Sequence, residues 1–121
     1  MITKKQLNDR GFIANISGKE YVLYKGLLAI AHEMGLKSIT TEPIEIDWTN
    51  GRFVFCATVV IEKPGGFTQT FTEYGDSLQC NTSKLMFKSA MRMAATRAKA
   101  RALRDATGIG ITAMDEIPQE D

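Results

Sequence analysis

The sequence predicts an α+β domain of order α-β-β-β-α, with a three-stranded antiparallel sheet packed against helices. Three observations predict it. Leu23, Leu27, Ile30, Ala31 and Met34 recur at helical spacing and form one apolar stripe that stops at Gly35. Three runs of strand-forming residues follow, separated by Asn50-Gly51 and by Lys63-Pro64-Gly65-Gly66. Residues 84–106 then contain no Gly or Pro and are dominated by Ala, Leu, Met, Lys and Arg. One sheet face needs cover, and two helices can supply it.

In chain order, residues 1–11 are polar and are expected to fray, and residues 12–16 read as a short strand or an extended lead-in. Ser17 and Glu20 have the S-x-x-E spacing of a capping box, which predicts a helix over residues 19–34. Gly35 suits the left-handed position after a helix, and Leu36 can fold back on the last turn. In the first strand Ile44, Ile46 and Trp48 share one face, Glu45 and Asp47 the other, and Pro43 marks an edge. Asn50-Gly51 predicts a two-residue hairpin. The second strand, residues 52–62, carries Phe53, Phe55, Ala57, Val59 and Ile61 on one side and Val54, Cys56, Thr58 and Val60 on the other. The third, residues 67–74, sets Thr68, Thr70, Thr72 and Tyr74 opposite Phe67 and Phe71. Gly75-Asp76-Ser77 is expected to break the sheet. Asn81, Thr82 and Ser83 are competent N-caps for a final helix about 35 Å long, ended by Gly108 and Gly110. The expected division is a lead-in over residues 1–16, one domain over 17–112 and an acidic tail over 113–121.

A chain of 121 residues with 44% apolar content can build one real core. No run approaches the roughly 18 apolar residues of a membrane span. The opening residues lack the apolar block of a secretory signal, so a cytoplasmic protein is expected. Cys56 reads as a small core residue. With only one further cysteine, Cys80, and one histidine, His32, no metal site is expected. No phosphate loop, no nucleophile with a base and no spaced carboxylate pair is present, so neither an enzyme nor a cofactor nor a small-molecule substrate is expected. Asp76, after Gly75, reads as a turn residue.

The formal charge of +1 conceals segregation. Residues 77–104 hold seven bases and no acid, and the last seven residues hold four acids. At about 100° per residue, Lys88, Arg92 and Lys99 fall on one stripe of the final helix, and Arg97, Arg101 and Arg104 on a nearly opposite one. Two readings follow. Either the cations meet acids elsewhere, such as Glu42, Glu45 or Asp47, or they bind phosphates, since unopposed like charges are relieved by a polyanion. The many alanines have two readings as well. They raise helix propensity, or they let the sheet and a neighbouring subunit approach closely. The threonine face ending at Tyr74, with Arg52, either presents hydroxyls and an aromatic ring to nucleic acid or is an ordinary exposed sheet face. The acidic tail is expected to compete for the basic helix.

The stretch Ala95-Thr96-Arg97-Ala98-Lys99-Ala100-Arg101-Ala102-Leu103-Arg104, followed by Gly108, resembles the closing helix of the Rad-type single-strand annealing proteins, among them DdrA-like and phage members. The family pattern is a Thr, a basic A-L-R segment and a glycine. Arg101-Ala102-Leu103-Arg104 matches its R-A-L-R, while Ala100 stands where eukaryotic members usually carry a lysine. The resemblance implies a hairpin sheet backed by helices, ring-like or filamentous homo-oligomers, and single-stranded DNA held along a basic groove, with Arg101 and Arg104 as the residues carried over. Double-stranded RNA-binding domains share the element order, and Lys84 and Lys88 weakly imitate their lysine cluster. The resulting expectation is a single-stranded DNA-binding and annealing homo-oligomer in recombination or repair. Its phosphate contacts would be Lys88, Arg92, Arg97, Lys99, Arg101 and Arg104. A duplex-RNA binder is the alternative.

Overall fold

The computed structural model describes residues 2–78 and 84–116. Its elements are α1 (Lys4–Asp9), β1 (Ile13–Ile16), β2 (Lys19–Val22), α2 (Tyr24–Met34), β3 (Leu36–Asp47), β4 (Arg52–Glu62), β5 (Thr68–Leu78), α3 (Lys84–Thr107) and a 3-10 turn over Met114–Glu116. The α+β class and the α-β-β-β-α order are those expected from the sequence, and three short elements, α1, β1 and β2, precede them. The cap candidates Asn81, Thr82 and Ser83, together with Cys80 and Pro118, lie outside the described residues.

The N-terminal expectations are corrected. Residues 4–9 form a helix closed by a Thr3–Gln6 capping box, with Leu7 buried in the core. Ser17 and Glu20 cap no helix. Ser17 (φ 53°) and Gly18 (φ 83°) turn an antiparallel hairpin in which Ile16 pairs with Lys19 and Ile13 with Val22. Two successive positive φ values are the signature of a tight hairpin turn, which matches the right-handed twist of its strands. Helix α2 therefore starts at Tyr24, after Leu23 in extended conformation, and ends at Gly35 (φ 103°) in the left-handed conformation its sequence suggests.

The main sheet has strand order β3-β4-β5, antiparallel throughout, with β4 covering the residues expected of it. Pro43 lies in edge strand β3, beside a register shift between Pro43 and Glu45. The Asn50-Gly51 hairpin is a longer turn than expected: Asp47 pairs with Arg52, and residues 48–51 loop between them. The Asp47 carboxylate accepts from the amides of Thr49 (3.0 Å) and Asn50 (3.1 Å) and from Asn50 Nδ2 (2.8 Å). Gly75, Asp76 and Ser77 do not break the sheet; they continue β5, paired with Phe55, Val54 and Phe53.

The reason is the helix. A Cβ on Gly75 would meet the Ala94 carbonyl and the Ala98 amide of α3, so the missing side chain is what lets helix and strand touch. Ala90, Ala94, Ala98, Ala100 and Ala102 are all buried. Ala90 and Ala94 pack on Phe53, and Ala98 packs toward Ala57, Val59 and Ile61. On the far side of α3, Ala100 and Leu103 bury against the layer made by α2, α1 and the small hairpin. Val22 donates to the Thr112 carbonyl (3.0 Å) and bridges Ala113, tying the chain after α3 to this layer. The result is three layers: sheet, α3, and the N-terminal elements.

Candidate nucleic-acid interface

The two cation stripes of α3 meet different surroundings. The second one runs along the edge of β5. Arg97 donates to the Asp76 carbonyl (2.7 Å) and Arg101 to the Tyr74 carbonyl (2.8 Å). Both bonds cap acceptors on the outer edge of the sheet, where an unpaired strand would otherwise recruit another chain. Arg104 holds the Glu116 carboxylate with both oxygens at 3.0 Å and donates to the Gly110 carbonyl (2.9 Å). Arg101 Nε lies 3.4 Å from the same carboxylate and its Nη1 3.6 Å from Asp76. Glu116 also accepts from the Ala113 amide (2.7 Å), and its side chain is only 7% exposed. Burial pushes the Arg97 guanidinium below the ordinary arginine value; the Arg101 charge adds to this, and Asp76 opposes it. This stripe is thus engaged by carbonyls and carboxylates of the same chain.

Arg92 is exposed on the other stripe, and Lys99 is half-buried with its ammonium 5.7 Å from the centre of the Tyr24 ring. Among the described residues neither forms an ion pair with a carboxylate. Lys88 shares this stripe by helical spacing, but its side chain lies outside the described residues. The N-terminal half of α3 extends past the start of α2, which leaves Ser89 and Arg92 in solvent. Of the six sequence-expected contacts, Arg92 and Lys99 come together on one open flank, and Arg97, Arg101 and Arg104 on a closed one. Tyr24 was not expected at the site. No periodicity links the first turn of one helix to the middle of another, so only the fold reveals it.

The threonine face of the sheet is open. Both apolar clusters draw only odd-numbered residues from β4 and β5, leaving the even-numbered side outside them. Thr58 and Thr72 are cross-strand neighbours with hydroxyls 3.4 Å apart, and Tyr74 is 55% exposed. Glu42, Glu45, Asp47, Glu62 and Asp76 share this face with Arg52 by strand register, and the exposed Lys37 sits at the register shift between Leu36 and Ser38. Arg52 sits 3.8 Å from Glu45. An acid-rich face repels a polyanion, so the hydroxyl-and-aromatic reading of this surface finds no electrostatic support.

Among the described residues no cluster of His, Cys, Asp and Glu is arranged to hold a metal ion, and no helix is long and apolar enough to cross a membrane. Comparison of the chain with protein-family models and with curated proteins finds no match.

Proposed function

We propose that this chain is a non-enzymatic single-stranded DNA-binding and annealing protein, acting as a homo-oligomer in recombination or repair. The observation that carries the reading is the open flank of α3, where Arg92 and Lys99 stand without a carboxylate partner among the described residues. Charge of this kind attracts phosphates by releasing counterions, and it leaves bases free to pair, which annealing needs. The likeness of residues 95–104 to the annealing proteins supports the same class. The reading implies a cytoplasmic protein that needs no cofactor.

The test is anisotropy of a labelled oligothymidine, titrated at several salt concentrations from about 50 to 200 mM. Arg92→Ala with Lys99→Ala is expected to weaken binding and to flatten the salt slope by about 1.4, at about 0.7 per phosphate contact on a single strand. An unchanged slope removes the two residues from the interface. Absence of binding at about 50 mM salt, where electrostatic attraction is strongest, overturns the reading altogether. Competition with duplex RNA decides the remaining question: preference for the duplex replaces single-stranded DNA as the ligand.

A further inference from the structure

The outer layers of the molecule carry opposite charge. Residues 36–78, the sheet layer, hold six acids against three bases, and five of those acids lie on the open face. Residues 1–35, the opposite outer layer, hold five bases against three acids. Two of the five bases are already satisfied, by Lys4–Glu20 (2.6 Å) and Arg10–Glu33 (2.6 Å). Lys5, Lys19 and Lys25 remain exposed. Apolar groups accompany both surfaces: Tyr74 and Leu78 (58% exposed) on the sheet, and Ile16 on the hairpin.

We propose that the open face of the sheet is a self-association surface, which receives the N-terminal layer of a second copy of this chain. The proposal rests on the proposed function only for the expectation that copies associate. Face-to-face pairing of two sheets would oppose five carboxylates with five more, so a symmetric dimer through this face is disfavoured. Sheet against N-terminal layer sets acids against lysines and buries Tyr74, Leu78 and Ile16 from water. The contact is heterologous, and repetition gives a ring or a filament. In such a stack α3 is the middle layer of every copy. The exposed Arg92 recurs once per copy along the assembly, and such repetition is what a continuous track for one strand requires. A single three-stranded face is small beside the roughly 800 Å² per partner of a stable interface, so association is weak and dependent on concentration.

The experiment is light scattering coupled to size exclusion, from about 1 to about 100 µM protein. Wild type is expected to associate at about 50 mM salt and to revert toward monomer at about 500 mM. Glu42→Lys with Glu62→Lys cancels the net negative charge of the open face beside an N-terminal layer that stays basic, and Lys5→Glu with Lys25→Glu makes both outer layers acidic. Each variant alone is expected to remain monomeric, and an equimolar mixture to associate again. Circular dichroism checks that both variants fold; should either not, the wild-type salt response decides alone. Wild type that stays monomeric at about 100 µM in low salt overturns the proposal. So does a sheet variant that associates as wild type does, or a mixture that does not recover. A monomeric wild type that captures oligolysine through Glu42 would assign the face to a basic partner instead. None of the four substituted residues is a proposed phosphate contact, so oligothymidine binding reads out separately. Binding without association sinks only this proposal, and association without binding sinks only the proposed function.

Discussion

Gly75 lies beneath Ala98: a Cβ built on the glycine would meet the Ala98 amide and the Ala94 carbonyl, both backbone atoms of α3. Backbone cannot swing aside as a side-chain end can. Gly75→Ala must therefore lift α3 from β5, and with it the Phe53, Ala90 and Ala94 cluster. The expected cost is about 3 kcal/mol or more, read as a fall in the urea midpoint. Gly110→Ala is the control, since nothing lies within 4 Å of its built Cβ. It is expected to stay within about 0.5 kcal/mol of wild type. Equal effects of the two substitutions would refute the close contact.

Arg104 and Glu116 form the second structural joint. Removing the guanidinium leaves a nearly buried carboxylate with Arg101 Nε at 3.4 Å and the Ala113 amide as its remaining partners. Arg104→Ala is expected to lower stability by about 2 kcal/mol, because an under-satisfied buried charge costs more than the lost bond alone. Arg92→Ala, on the open flank, is expected to change stability by less than about 0.5 kcal/mol. Chemical denaturation of the two variants checks the contrast. If Arg92→Ala were the more damaging, the division of α3 into an engaged and an open stripe would be wrong.

This division was only half legible in the sequence. The run of cations without an acid is a one-dimensional fact, and it gave the basic helix and both stripes. Which stripe would be engaged depends on partners far away in the chain, the carbonyls of Tyr74 and Asp76 and the carboxylate of Glu116. Strand β4 could be read to the residue because its alternation and flanking turns are local. The Ser17–Glu20 spacing misled because Ser-Gly also makes a hairpin turn, and Ile13, Tyr21 and Val22 are good strand formers that can pair across it. Gly75 looked like a breaker, although a glycine within a strand pattern also signals close backbone approach. Its partner, the alanine face of α3, was legible as one of two readings, the one in which small side chains let the sheet approach closely.

Two carboxylates give stability opposite responses to pH. Asp105 titrates above the usual aspartate range, first through burial, then through a hydrogen bond and repulsion from Glu73, with Glu116 adding and Arg104 opposing. Its protonated form is favoured by folding, so the associated stability is present at low pH and lost as pH rises through the elevated value. Asp47 titrates below the usual range, chiefly through hydrogen bonds from Asn50, with Thr49 and Arg52 assisting. Its contribution is present at neutral pH and lost as pH falls through the depressed value. Asp105→Asn is therefore expected to stabilise the protein at neutral pH and to leave it flatter on the acidic side of neutrality. Asp47→Ala is expected to destabilise it at neutral pH and to matter less in strong acid. Thermal midpoints from about pH 3 to pH 8 separate the two. A common sign for both substitutions at neutral pH would contradict one of the assignments.

Removing residues 114–121 should separate stability from binding. The truncation deletes Glu116, the carboxylate that holds Arg101 and Arg104, together with further acids of the tail. Arg104 loses its carboxylate, Arg101 keeps only that of Asp76 at 3.6 Å, and the end of α3 loses its clasp to Ala113. The urea midpoint is expected to fall. If the proposed nucleic-acid reading holds, oligothymidine affinity is expected to rise at low salt, with a steeper salt slope as up to two more cations become available to phosphate. The truncation is the informative variant because the two effects have opposite signs: simple loss of folding lowers both. A lower midpoint with unchanged affinity would mean that Glu116 is a structural clasp alone, and that the arginine stripe stays occupied by the Tyr74, Asp76 and Gly110 carbonyls even without it.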